Sequence, residues 1–131
     1  MIKKILLGLS VLAFACAGAA FAQQAAIKRT PLQKAEFPDG YVSVSGIAEV
    51  PAGAFAGRHT HPGVELSYVL EGEIDLIVEG KPDQHLKPGD SYQMAPGVTH
   101  DVKVTGDKPL KLLSVYVVDK TKPLASPAPQ K

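Results

Sequence analysis

The sequence GAFAGRHTHPGVELSYVLEG runs from Gly53 to Gly72 and contains two histidines separated by one residue. Side chains at positions i and i+2 of a β-strand point to the same face, about 7 Å apart. A strand that ends in His59-Thr60-His61 therefore presents two imidazoles side by side. The Pro62-Gly63 pair predicts a turn, after which the next strand brings Glu65 back beside the two histidines.

Two or three imidazoles with one carboxylate suit a borderline divalent transition metal and leave coordination positions free for water or substrate. His100, further along the chain, supplies the third imidazole. The chain has four histidines, and the fourth, His85, lies among polar residues near a predicted turn, where we expect it to be exposed to solvent. The residues therefore indicate a metal site and leave the identity of the metal open.

This segment resembles the first motif of the cupin superfamily, in particular that of small, single-domain, exported cupins of the quercetin dioxygenase-like or germin-like type. That motif is a glycine, five residues, His-x-His, three or four residues, a glutamate, six residues and a glycine. Every spacing fits, and the motif positions are Gly53, His59, His61, Glu65 and Gly72.

The second motif of the superfamily is a glycine, five residues, Pro-x-Gly, two residues, a histidine, three residues and an asparagine. It falls on residues 89–104, with His100 at the histidine position. Two positions depart from the motif, because Ala95 stands where proline is favoured and Val104 where asparagine is favoured. Neither is a ligand position, but Val104 cannot make the polar contact of the family's asparagine.

The resemblance implies that His59, His61, Glu65 and His100 bind one divalent transition metal per chain, with manganese, iron, zinc, copper or nickel all open. It also implies a double-stranded β-helix, the jelly-roll barrel of the cupins. Each motif occurs once, so the resemblance predicts one barrel rather than a fused pair.

The strand pattern also predicts an all-β protein. Segments that alternate apolar and polar residues, such as 41–50 and 73–79, recur every 8–12 residues between turns rich in glycine and proline. This organisation predicts four parts: a signal peptide (1–22), an N-terminal segment (23–40), the barrel domain (41–118), and a proline-rich C-terminal tail expected to be extended or disordered (119–131).

The first 22 residues are typical of a secretory signal peptide, with Lys3 and Lys4, an apolar run from Ile5 to Ala17, and an Ala20-Phe21-Ala22 cleavage site. Lipoprotein processing at Cys16 is the second possibility. The apolar run is too short and too rich in alanine for a transmembrane anchor. We therefore expect a periplasmic or secreted protein that has no membrane association after cleavage.

Cleavage after Ala22 leaves 109 residues, enough for one domain with a hydrophobic core. These residues include 12 basic and 13 acidic side chains, so the clustered basic excess that favours nucleic acid or an anionic membrane is absent from the sequence. Cys16 is the only cysteine, so the processed chain has none. Disulfides, thiolate ligands and thiol catalysis are therefore excluded.

Residues around the four candidate ligands carry further expectations. Ser67 shares a strand face with Glu65 and is placed to support it. Tyr92 and Met94 are expected to face inward, and Tyr92 is a candidate to hydrogen-bond a ligand or the substrate. Arg58 directly precedes His59, so strand alternation directs its side chain away from the ligands. An apolar pocket wall is expected from Phe55, Val69 and Val102.

Two classes of function fit this site. The first is a metal-dependent enzyme acting on a small organic molecule, with dioxygenase-like chemistry as the leading subclass and no separate general base evident. The second is a non-catalytic binder of a metal or of a metal-chelated small acid. A storage protein without chemistry is disfavoured because all four ligands are present. The resemblance also implies a homodimer, for which Tyr41, Val42 and Val44 offer apolar residues near an expected sheet edge.

Overall fold

The structure is a computed structural model that describes residues 27–129. The predicted signal peptide, residues 1–22, lies outside these residues. The described chain forms ten strands and one short 3-10 helix, Pro38–Gly40. The strands are β1 (Lys28–Glu36), β2 (Tyr41–Val50), β3 (His59–Thr60), β4 (Gly63–Glu71), β5 (Glu73–Val78), β6 (Gln84–Leu86), β7 (Ser91–Met94), β8 (His100–Thr105), β9 (Leu110–Asp119) and β10 (Ser126–Pro127).

The strands form two antiparallel sheets of five strands each. The first sheet has the order β1-β2-β9-β4-β7, and the second has the order β10-β3-β8-β5-β6. Because consecutive strands repeatedly change sheet, the chain winds as a double-stranded β-helix, and the all-β jelly-roll prediction is confirmed. No helix in the described range 27–129 has the length and apolar character to cross a membrane.

The hydrophobic core lies between the two sheets. It is built from side chains that alternate along the strands, as the period of two requires. Its buried members are Ile27, Val50, Val69, Ile74, Leu76, Val78, Met94, Val102, Val104, Leu110 and Leu112. Val104, which replaces the asparagine of the second motif, is therefore a core residue.

Strand β4 has an unusual distribution of polar and apolar residues. Its inward positions include Glu65 and Ser67, which are almost completely buried, whereas Leu66 and Tyr68 face outward and are exposed. The strand lies close to β9, because a Cβ atom added at Gly63 would approach the carbonyl oxygen of Val117 to 2.0 Å. Side-chain bulk at this position is therefore incompatible with the pairing of β4 and β9.

Both terminal segments join the sheets. Strand β1 pairs with β2 along most of its length, so β2 lies between β1 and β9 and is not an edge strand. The expectation that Tyr41, Val42 and Val44 lie near an exposed sheet edge is therefore wrong, and Val42 is buried. At the other terminus, β10 pairs with β3, so part of the tail expected to be extended or disordered is a strand.

Candidate metal centre

The structure brings all four sequence-predicted ligands together at one end of the barrel. His59 on β3 pairs directly with His100 on β8, and His61 follows β3 at once. Glu65 comes from β4 in the opposite sheet, so the cluster joins the two sheets. One ligand atom from each residue lies within 4.8 Å of every other, and this group could hold a metal ion.

The ligand atoms converge closely. The Nε2 atoms of His59 and His61 are 3.1 Å apart. The Nε2 atoms of His61 and His100 each lie 3.1 Å from Oε2 of Glu65. Three ring nitrogens and one carboxylate oxygen thus surround a single point. Separations of about 3 Å are those expected between ligands of one ion with bond lengths of about 2.0–2.2 Å.

Each histidine is oriented by a backbone carbonyl that accepts a hydrogen bond from its Nδ1 atom. The carbonyl of Gly57 holds His59 at 2.7 Å, that of Leu124 holds His61 at 2.7 Å, and that of Val98 holds His100 at 3.1 Å. With the ring proton on Nδ1, Nε2 carries a lone pair. All three Nε2 lone pairs therefore face the cluster, as metal coordination requires.

This arrangement fits a cation. Lone pairs of His59 and His61 at 3.1 Å repel each other unless a positive charge lies between them. Burial, helped by the nearby His100, lowers the pKa of His59 to about 4, so this ring is neutral near pH 7. Without a metal ion, a proton between His100 and Glu65 stabilises that pair and leaves the lone pairs of His59 and His61 opposed. Burial lowers the pKa of His100, but contact with Glu65 outweighs this effect and raises it.

Glu65 is held as a carboxylate by two hydroxyl groups. The hydroxyls of Ser67 and Tyr92 donate to Oε1 at 2.6 and 2.8 Å, which leaves Oε2 directed at the histidines. Burial alone would raise the pKa of Glu65, but contacts with His100 and His61 and the bond from Ser67 hold that pKa well below its usual range. The predicted inward orientation of Tyr92 and the supporting role of Ser67 are confirmed.

A buried carboxylate outside the ligand set fixes the loop before β3. Asp101 follows His100 and accepts hydrogen bonds from the backbone N–H groups of Gly57 and Val102, at 2.8 and 2.7 Å. Because the carbonyl of Gly57 holds His59, Asp101 supports a ligand indirectly. Burial raises the pKa of Asp101. Its place beside His100 in the sequence is the only signal that could have identified it.

The cluster opens on a cavity of about 490 Å³. His59 and His61 line this cavity, together with Tyr116, whose ring centre is 4.8 Å from that of His61. The expected wall of Phe55, Val69 and Val102 is wrong, because Val69 and Val102 belong to the core and none of the three lines the cavity. The apolar wall is formed instead by the side chains of Val44, Ala48, Ala56, Leu124 and Ala125.

Two other predictions concern residues near the site. His85 lies outside it and is about half exposed, as predicted, between the carboxylates of Asp75 and Glu73. Arg58 does not line the cavity; its guanidinium donates to the carbonyl of Pro129 at 2.7 Å and lies 3.3 Å from Glu79. Arg58 therefore connects the tail to the barrel rather than contacting the ligands.

Comparisons with known proteins agree with the fold and the cluster. The family model described as "Cupin domain" matches residues 46–116, more than half of the chain, and the chain belongs to this family. It also resembles a cupin-like protein from Thermotoga maritima, with a TM-score of 0.66, 22% identity, and coverage of 78% of this chain and 75% of that one.

Two curated relatives match part of the chain. One is the dimethylsulfoniopropionate lyase DddQ of Ruegeria pomeroyi, 33% identical over 70 residues, which are 53% of this chain and 34% of that protein. The other is the HTH-type transcriptional regulator PuuR of Escherichia coli, 37% identical over 59 residues, which are 45% of this chain and 31% of that protein. The matched region is thus about a third of the length of each relative.

Proposed function

We propose that this protein is a metal-dependent enzyme that acts on a small organic molecule. His59, His61, Glu65 and His100 would hold one divalent transition metal. The observation that carries the proposal is that two of these ligands, His59 and His61, form part of the wall of a 490 Å³ cavity. A cavity of this size is in the range of small-molecule sites, about 300–1,000 Å³.

A metal at this site would supply Lewis acidity or, if redox-active, reactivity toward O₂. The residues of the chain have separate tasks. The three carbonyl-anchored histidines fix the direction of the ligand atoms, and Ser67 and Tyr92 keep Glu65 charged and oriented. Tyr116 offers a neutral hydroxyl, because burial raises its pKa to about 12. The apolar wall limits the access of water to the substrate.

Dioxygenase-like chemistry is the leading subclass. A ligand set of three histidines and one carboxylate supports it, because the carboxylate lowers the charge of a divalent centre and favours a higher oxidation state of a redox metal. A metal-dependent lyase is the second candidate, favoured by the match to the lyase DddQ. The lyase would break a bond in a small acid without consuming O₂, so O₂ uptake distinguishes the two.

A non-catalytic binding protein is the candidate from another class. The match to the regulator PuuR favours it, since that relative is named as a transcriptional regulator and not as an enzyme. Such a protein would bind one metal or one metal-chelated ligand per chain and would release it unchanged. Turnover of any substrate separates the enzyme from the binder.

The first test is elemental analysis of the protein purified from its own compartment. Protein loaded with the metal found, and with iron, manganese, copper or nickel in parallel, is then screened for O₂ uptake with phenolic, keto-acid and enediol substrates, and for cleavage of dimethylsulfoniopropionate. The matched control is His100→Ala. A stoichiometric metal and turnover that the control lacks would support the enzyme. Stoichiometric metal without turnover would favour the non-catalytic binding protein.

We propose that the protein works in the periplasm or outside the cell, on the basis of residues 1–22. If the chain crosses the membrane unfolded, it selects its metal there, where copper and zinc compete most strongly by affinity. Mass spectrometry of the exported protein should find Gln23 at its N-terminus. A lipid-modified N-terminus at Cys16 would show that a different peptidase processes the chain.

A further inference from the structure

The N-terminal strand contributes one cation to the cavity. Arg29 on β1 pairs in register with Ala48 on β2, and residues directly opposite on paired strands project to the same face of the sheet. Ala48 and Gly46 face inward on β2, and Ser114 is their inward neighbour on β9. Because these residues are small, they leave room for the cavity that Arg29 lines.

Arg29 is the only permanently charged residue among those that line this cavity, and the described part of the chain places no acidic side chain in the lining. Its neighbour on the same strand, Lys28, forms an ion pair with Glu49 at 2.7 Å. Within residues 27–129, the structure gives the guanidinium of Arg29 no hydrogen bond or ion pair. The guanidinium is therefore available to a ligand.

Arg29 and the candidate metal ligands belong to the same cavity. Tyr116 packs against the His61 ring, and the charge of Arg29 is close enough to lower the pKa of Tyr116, although burial raises that pKa more. An arginine presents its donors in a planar fork that matches a carboxylate. A single positive charge with apolar surroundings also suits a singly charged carboxylate better than a doubly charged phosphate.

We propose that the cavity takes a small organic acid whose carboxylate pairs with Arg29. The apolar body of the acid lies against Val44, Ala48 and Ala56, and its other end reaches the face formed by His59 and His61. Arg29 is thus the residue that determines specificity for an acid. This substrate class rests on the proposed function, since it concerns the same cavity.

The experiment compares carboxylates with their neutral amides. Binding of benzoate, phenylacetate and hexanoate, and of benzamide, phenylacetamide and hexanamide, is measured by calorimetry on metal-free and zinc-loaded protein, so that no turnover is involved. We expect Arg29→Gln to weaken carboxylate binding about tenfold to a hundredfold, which is the usual effect of removing a hydrogen bond to a charged group. Binding of the amides should be unchanged. Arg29→Lys should restore part of the affinity.

The matched control is Lys34→Gln, which removes the same charge from the same strand outside the cavity. Lys34→Gln should leave the binding of both the carboxylates and the amides unchanged. Because Arg29 is exposed and without a structural partner in residues 27–129, the substitution should not change the unfolding temperature. Three results would each overturn the proposal. They are a wild type that binds none of the carboxylates at concentrations up to about 10 mM, equal binding of the acids and the amides, and full carboxylate binding by Arg29→Gln. Failure of the protein to bind zinc would defeat the proposed function instead, and the metal-free series would still test Arg29.

Discussion

The backbone carbonyl of Leu124 accepts a hydrogen bond from Nδ1 of His61 at 2.7 Å, although 63 residues separate the two in sequence. The tail that carries Leu124 is held in place by the residues that follow it. Ser126 and Pro127 pair with β3, and the N–H group of Ala128 donates to the carbonyl of Arg58. The C-terminal segment therefore orients one of the four candidate ligands.

Removal of residues 123–131 should weaken metal binding. The deletion takes away the carbonyl that fixes the His61 ring, and loss of such an outer partner typically costs about 10–100-fold in metal affinity. Competition for zinc with a chelator of known affinity measures the change. Leu124→Ala is the matched control, because it keeps the carbonyl and should retain wild-type affinity. Equal affinities for the truncated and full chains would show that the tail does not orient His61.

Loss of any one of the three clustered histidines should reduce metal content sharply. His59→Ala, His61→Ala and His100→Ala each remove one of four converging ligand atoms, whereas His85→Ala removes an imidazole outside the cluster. Metal content per chain after purification and dialysis measures the effect. The ligand assignment would be contradicted by equal loss from all four variants, or by loss from none.

The grouping of three of the candidate ligands was predictable from sequence because their spacing is local. His59 and His61 face one way by strand alternation, and Glu65 returns after a turn. His100 was predictable only through the resemblance of the second motif. In contrast, the contributions of Leu124, Arg29 and Tyr116 depend on how distant strands pair, and no local spacing encodes that pairing.

The fold was predictable to the level of an all-β jelly roll, and the details of the sheets were not. Alternation marks a strand such as β2 but does not reveal its neighbours, so its residues were expected near an edge although β1 covers it. Strand β4 also places Leu66 and Tyr68 outward and Glu65 and Ser67 inward, with Val69 as the inward apolar residue. Its pattern departs from that of an ordinary half-buried strand because the inward face holds Glu65.

His85 should titrate above its ordinary pKa of about 6.5. Its ring lies 2.9 Å from Asp75 and 3.2 Å from Glu73, and the bond to Asp75 is the largest influence on its raised pKa. Because the pKa of His85 is raised in the folded protein, its protonated ring stabilises the fold at low pH. This stabilisation is lost as the pH rises through the folded pKa. NMR titration should show a larger downward shift in Asp75→Asn than in Glu73→Gln. A midpoint unmoved by either change would contradict the contacts.

We predict a homodimer that pairs through the outward face of β4. The exposed residues Leu66 and Tyr68 of β4 lie opposite Val115 and Leu113 of β9 and form an apolar surface with them. Such an uncharged surface can pack against the same surface of a second copy. Leu66→Lys should yield monomers of about 12 kDa after signal cleavage, as measured by light scattering. Phe37→Lys, which adds the same charge at an exposed residue outside this strand, should remain dimeric. A monomeric wild type at micromolar concentration would refute the prediction.

Replacement of Glu65 by glutamine separates an O₂-using enzyme from a binding protein. The amide can still occupy the position with its carbonyl oxygen toward the histidines, since the hydroxyls of Ser67 and Tyr92 can accept hydrogen bonds from its NH₂ group. It cannot supply the negative charge or accept a proton. In a dioxygenase, Glu65→Gln should therefore reduce turnover far more than it reduces metal content, whereas in a binder it should weaken metal or ligand binding and have no activity to remove.

The measurement for Glu65→Gln is metal content and substrate-dependent O₂ uptake, made side by side on the variant and the wild type. Ser67→Ala is the graded control, because it removes one hydrogen bond to Oε1 and leaves the carboxylate in place. The turnover of Ser67→Ala should lie between that of the wild type and that of Glu65→Gln. If the wild type takes up no O₂ with iron, manganese, copper or nickel, the dioxygenase reading fails. If turnover and metal content instead fall in parallel in Glu65→Gln, the carboxylate serves only to retain the metal, and the charge of Glu65 has no separate part in the reaction.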